Sequence, residues 1–220
     1  MKVLIISHTS HFYNEEGKVV GWGPTLREMD YMAERFGEVV HIACMHKGVK
    51  APASSVPYQN KNVRYVPIPA YGGERIKDKI SIVTNAFTIL RTIAKELTTA
   101  DVFQFRAPTA MGIYVIPFLS IFTKKKGWYK YAGNWVRQEQ PFSYSFQRSW
   151  LLNKQQRKIT INGAWQDQPS KCLSFENPCL DNSDREQGVI TIESKNYDKP
   201  LRLCFVGRLD KEKGIYDMLD

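Results

Sequence analysis

The sequence has no long hydrophobic run. Its longest apolar stretch, residues 111–122, contains Pro117 and is far shorter than the ~20 residues that a helix needs to cross a bilayer. At the N-terminus, apolar residues 3–6 lead directly into polar Ser7 and His8, without the small residues of a cleavage site. We therefore expect a buried strand at the N-terminus, rather than a signal peptide or a membrane span.

Cysteine is also scarce. The chain has only Cys44, Cys172, Cys179 and Cys204, and no two of them form a C-x-x-C pair. Cys44 and Cys204 lie within apolar, strand-like runs, which favours core thiols over metal-binding or redox-active ones. We expect no metal site and no bound cofactor. The absence of an export signal favours the reducing cytoplasm.

The charge is unbalanced towards the positive side. Among 220 residues, 31 Lys and Arg stand against 22 Asp and Glu, which gives a net charge of +9 at pH 7. Aromatic residues make up 12% of the chain, enough surface to bury in a core, so the composition excludes disorder as the main state. The positive charge suits nucleotide phosphates, nucleic acid or an acidic membrane surface, and does not choose among them.

Apolar segments of strand length alternate with segments of helical periodicity, which is typical of βαβ units and a mostly parallel sheet. Pro24 and Gly37 are the start and stop signals of one helix, and the lysines at 124–126 are expected to cap another. The predicted strands are 3–7, 39–44, 63–68, 101–105, 128–132, 158–161 and 171–175, and the predicted helices are 24–35, 80–97, 108–122 and 145–157. The fold class predicted is therefore α/β, a Rossmann-like three-layer domain.

The composition changes after Pro178. Residues 1–180 are expected to form the main domain, and 181–199 a polar connector with one strand at 189–192. Residues 200–220 contain a buried strand followed by the start of a helix, which resembles the beginning of a second Rossmann-like domain. One strand and part of a helix cannot bury their own apolar faces. We therefore expect this second domain to be incomplete, leaving apolar surface that docks onto the main domain or forms a homodimer.

Ligands of open parallel sheets bind beyond the carboxyl ends of the strands. Polar and basic residues stand at the predicted strand ends, as expected for an anionic, hydroxyl-rich ligand. Arg106 fits either an acceptor phosphate or a structural salt bridge equally well. The candidate residues at these ends are Ser7, His8, Arg106, Gly133, Asn134, Trp135, Glu176, Asn177, Gly207 and Arg208.

The run Phe205-Val206-Gly207-Arg208-Leu209, followed by Glu212-Lys213-Gly214, resembles the start of the second domain in group 1 (family 4) glycosyltransferases of the GT-B architecture. The resemblance implies that Arg208 and Lys213, at the turn that contains Gly207, contact the diphosphate of a nucleotide-sugar donor. Two cations beside a glycine turn and a helix N-terminus also suit a diphosphate physically. A solvated charged turn is the alternative.

The N-terminal half resembles the acceptor side of the same family more loosely. Gly21 and Gly23 correspond to the glycines of the family's first loop, although a longer insert precedes them and the third glycine of G-x-G-x-x-G is absent. The family's active-site His is replaced here by Asn134 and Trp135, which fit sugar hydroxyls and a sugar ring but not a general base. His8, and after it His11, are the alternative imidazoles. Glu176 and Asn177 are expected to line the interdomain cleft.

The resemblance implies sugar transfer from a nucleotide diphosphate to a hydroxyl of a polysaccharide or lipid-linked acceptor, with retained configuration and without metal. The basic surface would favour peripheral contact with an anionic membrane. The family's acidic E-x7-E pair is missing, so we expect this chain to be inactive by itself. A polyanion or nucleic-acid binder, or a non-catalytic fragment, is the alternative; no helix-turn-helix, RNP-like or zinc-finger spacing supports nucleic-acid binding.

Overall fold

The computed structural model describes residues 1–72, 76–133, 135, 141–175 and 182–196. The chain divides into two compact units, Met1–Pro178 and Cys179–Asp220. The strands are β1 (Lys2–Tyr13), β2 (Val19–Trp22), β3 (Glu38–Met45), β4 (Ser55–Pro57), β5 (Val63–Pro69), β6 (Val102–Ala107), β7 (Lys126–Tyr131), β8 (Ile159–Asn162) and β9 (Cys172–Phe175). The helices are α1 (Gly23–Phe36), α2 (Ile76–Thr84), α3 (Ala86–Thr99), α4 (Gly112–Ile121), α5 (Phe142–Asn153) and α6 (Asn182–Glu193).

Seven parallel strands form the body of the sheet, in the order β5-β3-β1-β6-β7-β8-β9. The chain starts in the middle at β1, proceeds to one side through β3 and β5, and then continues on the other side from β6. The strand order therefore reverses between β1 and β6. Such a switch point is where open α/β sheets bind their ligands.

Helices cover both faces of this sheet. Successive residues of each strand point to opposite faces, so each strand contributes side chains to two cores. Val3, Ile5 and Val39 pack with Met29 of α1 on one face. Leu4 and Ile6 belong to a larger core on the other face, to which α3, α4 and α5 contribute. The predicted α/β, Rossmann-like three-layer fold with a mostly parallel sheet is confirmed.

Helix α1 shows the predicted start and stop. Pro24 lies in its first turn, and the chain turns away at Gly37, whose φ of 104° favours glycine. The single helix predicted over 80–97 is instead two helices. They meet at Asn85, whose side-chain amide donates to the carbonyl of Ala70.

Residues 9–20, the insert that precedes Gly21 and Gly23 in the loop that the resemblance implies, are partly a hairpin. β1 continues to Tyr13 and turns back into β2, with His11, Phe12 and Tyr13 paired to Gly21, Val20 and Val19. β4 then pairs with β2, also antiparallel. The loop prediction is wrong because these short strands are stabilised by pairing with one another rather than by a long apolar run.

The strand predicted at 189–192 is also wrong, since these residues lie in helix α6. Valine and isoleucine favour strands only where a sheet edge accepts them. Asp184 in the first turn of α6 favours the helix by complementing its positive end. The predicted domain boundaries stay predictions, and so does the prediction for residues 200–220, which lie outside the described part of the chain.

The carboxyl end of α4 is capped by Arg157, not by the predicted lysine run. The Arg157 guanidinium donates to the carbonyls of Leu119 and Thr123, at 3.2 and 2.6 Å, and to that of Lys125. Lys125 extends its own ammonium group to the carbonyls of Thr98 and Ala100, at the end of α3. The sequence does not predict that Arg157 binds the end of α4 while Lys125 binds the end of α3, because these partners are far apart in the chain.

Cys44 and Cys172 are buried free thiols, as predicted for the core. Burial raises the pKa of Cys44 to about 12, so this thiol is not reactive near neutral pH. Cys179 and Cys204 lie outside the described residues. Within the described chain, no helix has the length and apolarity required to cross a membrane.

Candidate functional site

The carboxyl-terminal half of β1 lines a cleft of about 370 Å³ on the side of the sheet edge formed by β2 and β4. The register of β1 against β3 shifts between Ile6 and Ser10, so the residues between them bulge from the strand. This bulge places His8 in the wall of the cleft. The other lining residues are the aromatic side chains Phe12 and Trp22, the hydroxyl-bearing Thr9, Ser10, Ser54 and Ser55, and Pro52.

Trp22 is the main aromatic surface of this cleft. It ends β2 and directly precedes α1, and 56% of its surface is exposed, whereas Phe12 is buried. An exposed indole surrounded by hydroxyl groups suits a ligand that has both apolar ring faces and polar edges. The cleft therefore combines one exposed aromatic face with several hydroxyl groups.

The imidazole of His8 stacks on Tyr71, with 4.8 Å between ring centroids. Partial withdrawal from water lowers the pKa of His8, and the nearby His46 lowers it further, although the backbone of Tyr71 acts in the opposite direction. His8 is therefore neutral at pH 7. A neutral imidazole at the wall of a cleft has a free lone pair with which to accept a proton.

Behind this cleft wall lies a buried polar cluster, which we call the bulge network and define as Ser7, His11, His41 and Tyr58. Ser7 Oγ lies 2.7 Å from His41 Nε2, and His41 Nδ1 lies 2.7 Å from the Tyr58 hydroxyl. The same hydroxyl is 2.7 Å from His11 Nε2. Ser7, His11 and His41 are at most 1% exposed, so these contacts replace hydration.

Acidification is expected to destabilise the domain through His11 and His41. Burial lowers the pKa of His11 to about 4 and that of His41 well below its usual value, so both bind protons only when the chain unfolds. Their contribution to stability is present above the unfolded pKa of about 6.5 and is lost as the pH falls towards the folded values. The free energy of unfolding should drop by about 2–3 kcal/mol between pH 7.5 and 5.5.

Urea denaturation at these two pH values measures this loss. His11→Gln removes one of the two titrating groups, so its unfolding free energy should depend less on pH than that of the natural chain. An unfolding free energy that is equal at pH 7.5 and 5.5 would contradict the neutral, buried state of the two imidazoles.

Arg106 forms the salt bridge that the sequence analysis considered as one of two alternatives. Glu28 of α1 accepts from Arg106 Nη2 at 2.8 Å and from Lys130 Nζ at 2.6 Å. Arg106 and Lys130 are paired across β6 and β7, and Lys130 also lies over the ring of Phe175. Two cations thus share one carboxylate on the same face of the sheet as α1.

Three further predicted site residues are packed against neighbouring parts of the chain. Trp135 is 3% exposed, meets Tyr131 edge to face and lies under Arg148, so its ring is closed to a sugar in this conformation. Gly21 lies against His11; a Cβ there would come within 2.9 Å of that imidazole. Gly23 is the buried first residue of α1. A ligand-lining role for either glycine stays a prediction.

Several predicted residues lie outside the described part of the chain. They are Asn134, Glu176 and Asn177 of the acceptor side and Gly207, Arg208 and Lys213 of the donor side. Among the described residues, no group of three or more His, Cys, Asp or Glu side chains is arranged to hold a metal ion.

The sequence analysis missed His41, Tyr58, Glu28, Lys130 and Trp22. A signal existed for two of them, because His41 and Lys130 are polar residues inside otherwise buried strands. Such residues need a buried partner. No sequence pattern identifies Tyr58 as that partner, since it reaches His41 and His11 from the segment between β4 and β5.

Comparisons with protein-family models and with curated proteins found no match. Among solved structures, the chain is similar to MurG from Acinetobacter baumannii over 80% of its length, with 11% identity and a TM-score of 0.39. It is similar to a UGT transferase from Siraitia grosvenorii, solved with UDP, over 61% of its length, with 9% identity and a TM-score of 0.36. The C-terminal domain of the coenzyme A biosynthesis bifunctional protein CoaBC matches 58%, with 14% identity and a TM-score of 0.28.

These matches cover 44% of the MurG chain, 29% of the UGT chain and 62% of the CoaBC domain. At such low identities and TM-scores, none of the three structures indicates what this chain binds or which reaction it catalyses.

Proposed function

We propose that this chain contains the acceptor-binding domain of a glycosyltransferase that uses a nucleotide-diphosphate sugar. The observation that carries the proposal is the placement of the His8 imidazole in a cleft with an exposed indole and four hydroxyl-bearing side chains, beside the carboxyl-terminal half of β1. A sugar hydroxyl bound there would lie beside a base, and its ring would stack on Trp22.

In the proposed reaction, an acceptor hydroxyl attacks the anomeric carbon of the donor sugar. A bond forms between the acceptor oxygen and that carbon, while the bond from the carbon to the diphosphate oxygen breaks. His8 takes the proton of the hydroxyl as a general base, and a single displacement of this kind inverts the anomeric configuration, in contrast to the retention that the resemblance implies. The diphosphate leaves as an anion, and the resemblance of residues 205–214 to the donor motif implies that Arg208 and Lys213 neutralise it.

Substitution of Trp22 tests the acceptor cleft. Trp22→Ala is expected to weaken the binding of octyl glucoside about tenfold, since an aromatic stacking contact contributes up to about 1.5 kcal/mol. Saturation-transfer NMR or calorimetry on the intact chain measures this affinity. Phe87→Ala is the matched control: Phe87 is 75% exposed on α3 and does not line the cleft, so affinity should be unchanged.

Two outcomes would contradict the proposal. One is the absence of saturable glucoside binding by the natural chain. The other is an equal loss of affinity in Trp22→Ala and Phe87→Ala, which would indicate non-specific contact with exposed aromatics. Tight RNA or DNA binding in a gel shift, falling steeply with salt, would favour the alternative of a polyanion binder.

A further inference from the structure

The bulge network forms a closed circuit around the bulge of β1. Its side chains connect Ser7 through His41 and Tyr58 to His11. Thr9 closes the circuit through its backbone, because its carbonyl faces His11 Nδ1 at 3.0 Å and its amide donates to Ser7 Oγ at 3.2 Å. The circuit therefore fixes the residues on both sides of His8.

The backbone carbonyl of Thr9 sets the order of the protons between His11, Tyr58 and His41. The Thr9 carbonyl can only accept, so His11 carries its proton on Nδ1 and, being neutral, accepts at Nε2. Tyr58 must then donate its hydroxyl proton to His11. Burial raises the pKa of Tyr58, so the phenol keeps that proton.

The same order continues towards the cleft wall. Since the Tyr58 proton is directed at His11, its oxygen accepts from His41 Nδ1–H. Neutral His41 therefore accepts at Nε2 from the Ser7 hydroxyl. The Ser7 oxygen in turn accepts the Thr9 amide proton. Ser7 Oγ also lies 3.0 Å from the Thr9 hydroxyl, so the Ser7 end of the circuit has a second partner on the bulge.

Tyr58 is held in place from a second side. The carboxylate of Asp30 in α1 accepts from the backbone amides of Gln59 and Asn60, at 3.0 and 3.1 Å. The segment that carries Tyr58 is therefore anchored to α1 independently of the histidines. As a result, the circuit ties the bulge of β1 to a fixed point rather than to a mobile loop.

Few charged or titratable groups surround the imidazoles of His41 and His8. Arg106 from β6 and His11 from β1 both disfavour a charge on His41. His8 faces Tyr71, beyond the end of β5, and His46, beyond the end of β3. No carboxylate among the described residues is within hydrogen-bonding or ion-pairing distance of either ring.

We propose that Ser7, His11, His41 and Tyr58 are positioning residues that hold the bulge of β1 so that His8 stacks on Tyr71 and faces the cleft. This inference rests on the proposed function for the catalytic use of His8. The placement of His8 itself is measurable without any substrate. Loss of one hydroxyl from the circuit frees the bulge and lets the His8 imidazole leave its stacked position on Tyr71.

The test is the titration of His8 in the intact chain, followed by NMR of the histidine Cε1–Hε1 groups. The chain has four histidines, and His8→Gln assigns the relevant signal. Tyr58→Phe is expected to raise the His8 midpoint towards that of a free imidazole, because the packing of the ring against Tyr71 is lost. It should also remove the ring-current shift caused by Tyr71.

Tyr65→Phe is the matched control. Tyr65 stacks on His11 at 4.4 Å, but its hydroxyl donates to the Ala43 carbonyl, outside the circuit. It should leave His8 unchanged. Ser7→Ala removes a hydroxyl at the other end of the circuit and repeats the test if Tyr58→Phe does not fold. Equal His8 titrations in the natural chain, Ser7→Ala and Tyr65→Phe would overturn the inference.

Failure of the inference and failure of the proposed function give different results. A shifted His8 in Tyr58→Phe, together with no glucoside binding by the natural chain, supports the positioning role and removes the sugar-transfer proposal. An unshifted His8 in both circuit variants, together with glucoside binding that depends on Trp22, overturns the positioning role and leaves the sugar site intact.

Discussion

Replacing Glu28 by glutamine is expected to lower the free energy of unfolding by about 3–5 kcal/mol, because it leaves two buried cations without their carboxylate. The side chains of Arg106 and Lys130 are only 15% and 6% exposed, and both donate to Glu28. Water therefore cannot compensate for the lost charge. Urea denaturation at pH 7.5 measures the change.

The control for Glu28→Gln is Glu16→Gln. Glu16 pairs with Lys18 at 2.9 Å, but both side chains are 68% exposed, so its loss should cost no more than about 1 kcal/mol. In the double variant Glu28→Gln with Arg106→Gln, one cation leaves together with the carboxylate, and part of the stability should return. Equal losses of unfolding free energy in Glu28→Gln and Glu16→Gln would show that Glu28, Arg106 and Lys130 are accessible to water in solution.

This result also bears on the predicted role of Arg106. If the pairing with Glu28 stabilises the fold as strongly as expected, the guanidinium is a structural cation first. An acceptor phosphate would then have to compete with Glu28 for Arg106.

Removal of Arg157 is the second change with a large expected effect. Arg157→Ala should destabilise the domain by about 3–5 kcal/mol, since it leaves the carbonyls of Leu119, Thr123 and Lys125 without their charged donor. The guanidinium also lies over the buried ring of Phe103, at 5.2 Å from its centroid. Denaturation by urea or heat measures the loss.

Arg157→Lys separates the effect of the fixed guanidinium geometry on stability from the effect of the positive charge. A lysine keeps the positive charge but cannot direct several N–H groups at three carbonyls, so it should recover less than half of the lost stability. The matched control is Lys124→Ala, because Lys124 belongs to the lysine run predicted to cap α4 and is exposed. Lys124→Ala should change stability by less than about 0.5 kcal/mol. A loss as large as that of Arg157→Ala would contradict the observed cap.

The elements predicted from sequence were correct where the signal was local. Helix α1 has Pro24 at its start and Gly37 at its stop, and the central strands are continuous apolar runs. The prediction was wrong at residues 189–192, where β-branched residues lie in a helix. It was also wrong at β2, where pairing with β1 creates a strand that has little local signal.

The sequence predicted part of the candidate site, because that part also depends on a local signal. Strand ends follow from the sequence, so Ser7 and His8 were predicted at the carboxyl edge of the sheet. Their partners come from distant segments: His41 is 34 residues from Ser7, and Tyr58 is 47 residues from His11. Only the strand order brings these side chains together.

The amino-acid sequence alone determined the fold class, the buried strands, the charge and the polar residues at the strand ends. These properties depend on periodicity and composition, which act over short stretches of chain. The tertiary structure alone decided that Arg106 and Lys130 share Glu28, that Arg157 caps α4, and that a buried circuit surrounds His8. Those contacts join side chains that are far apart in the sequence, and the sequence does not show which of them are close in space. Hydrogen bonds and ion pairs act only over a few ångströms, so they form only after the sheet has placed the groups side by side.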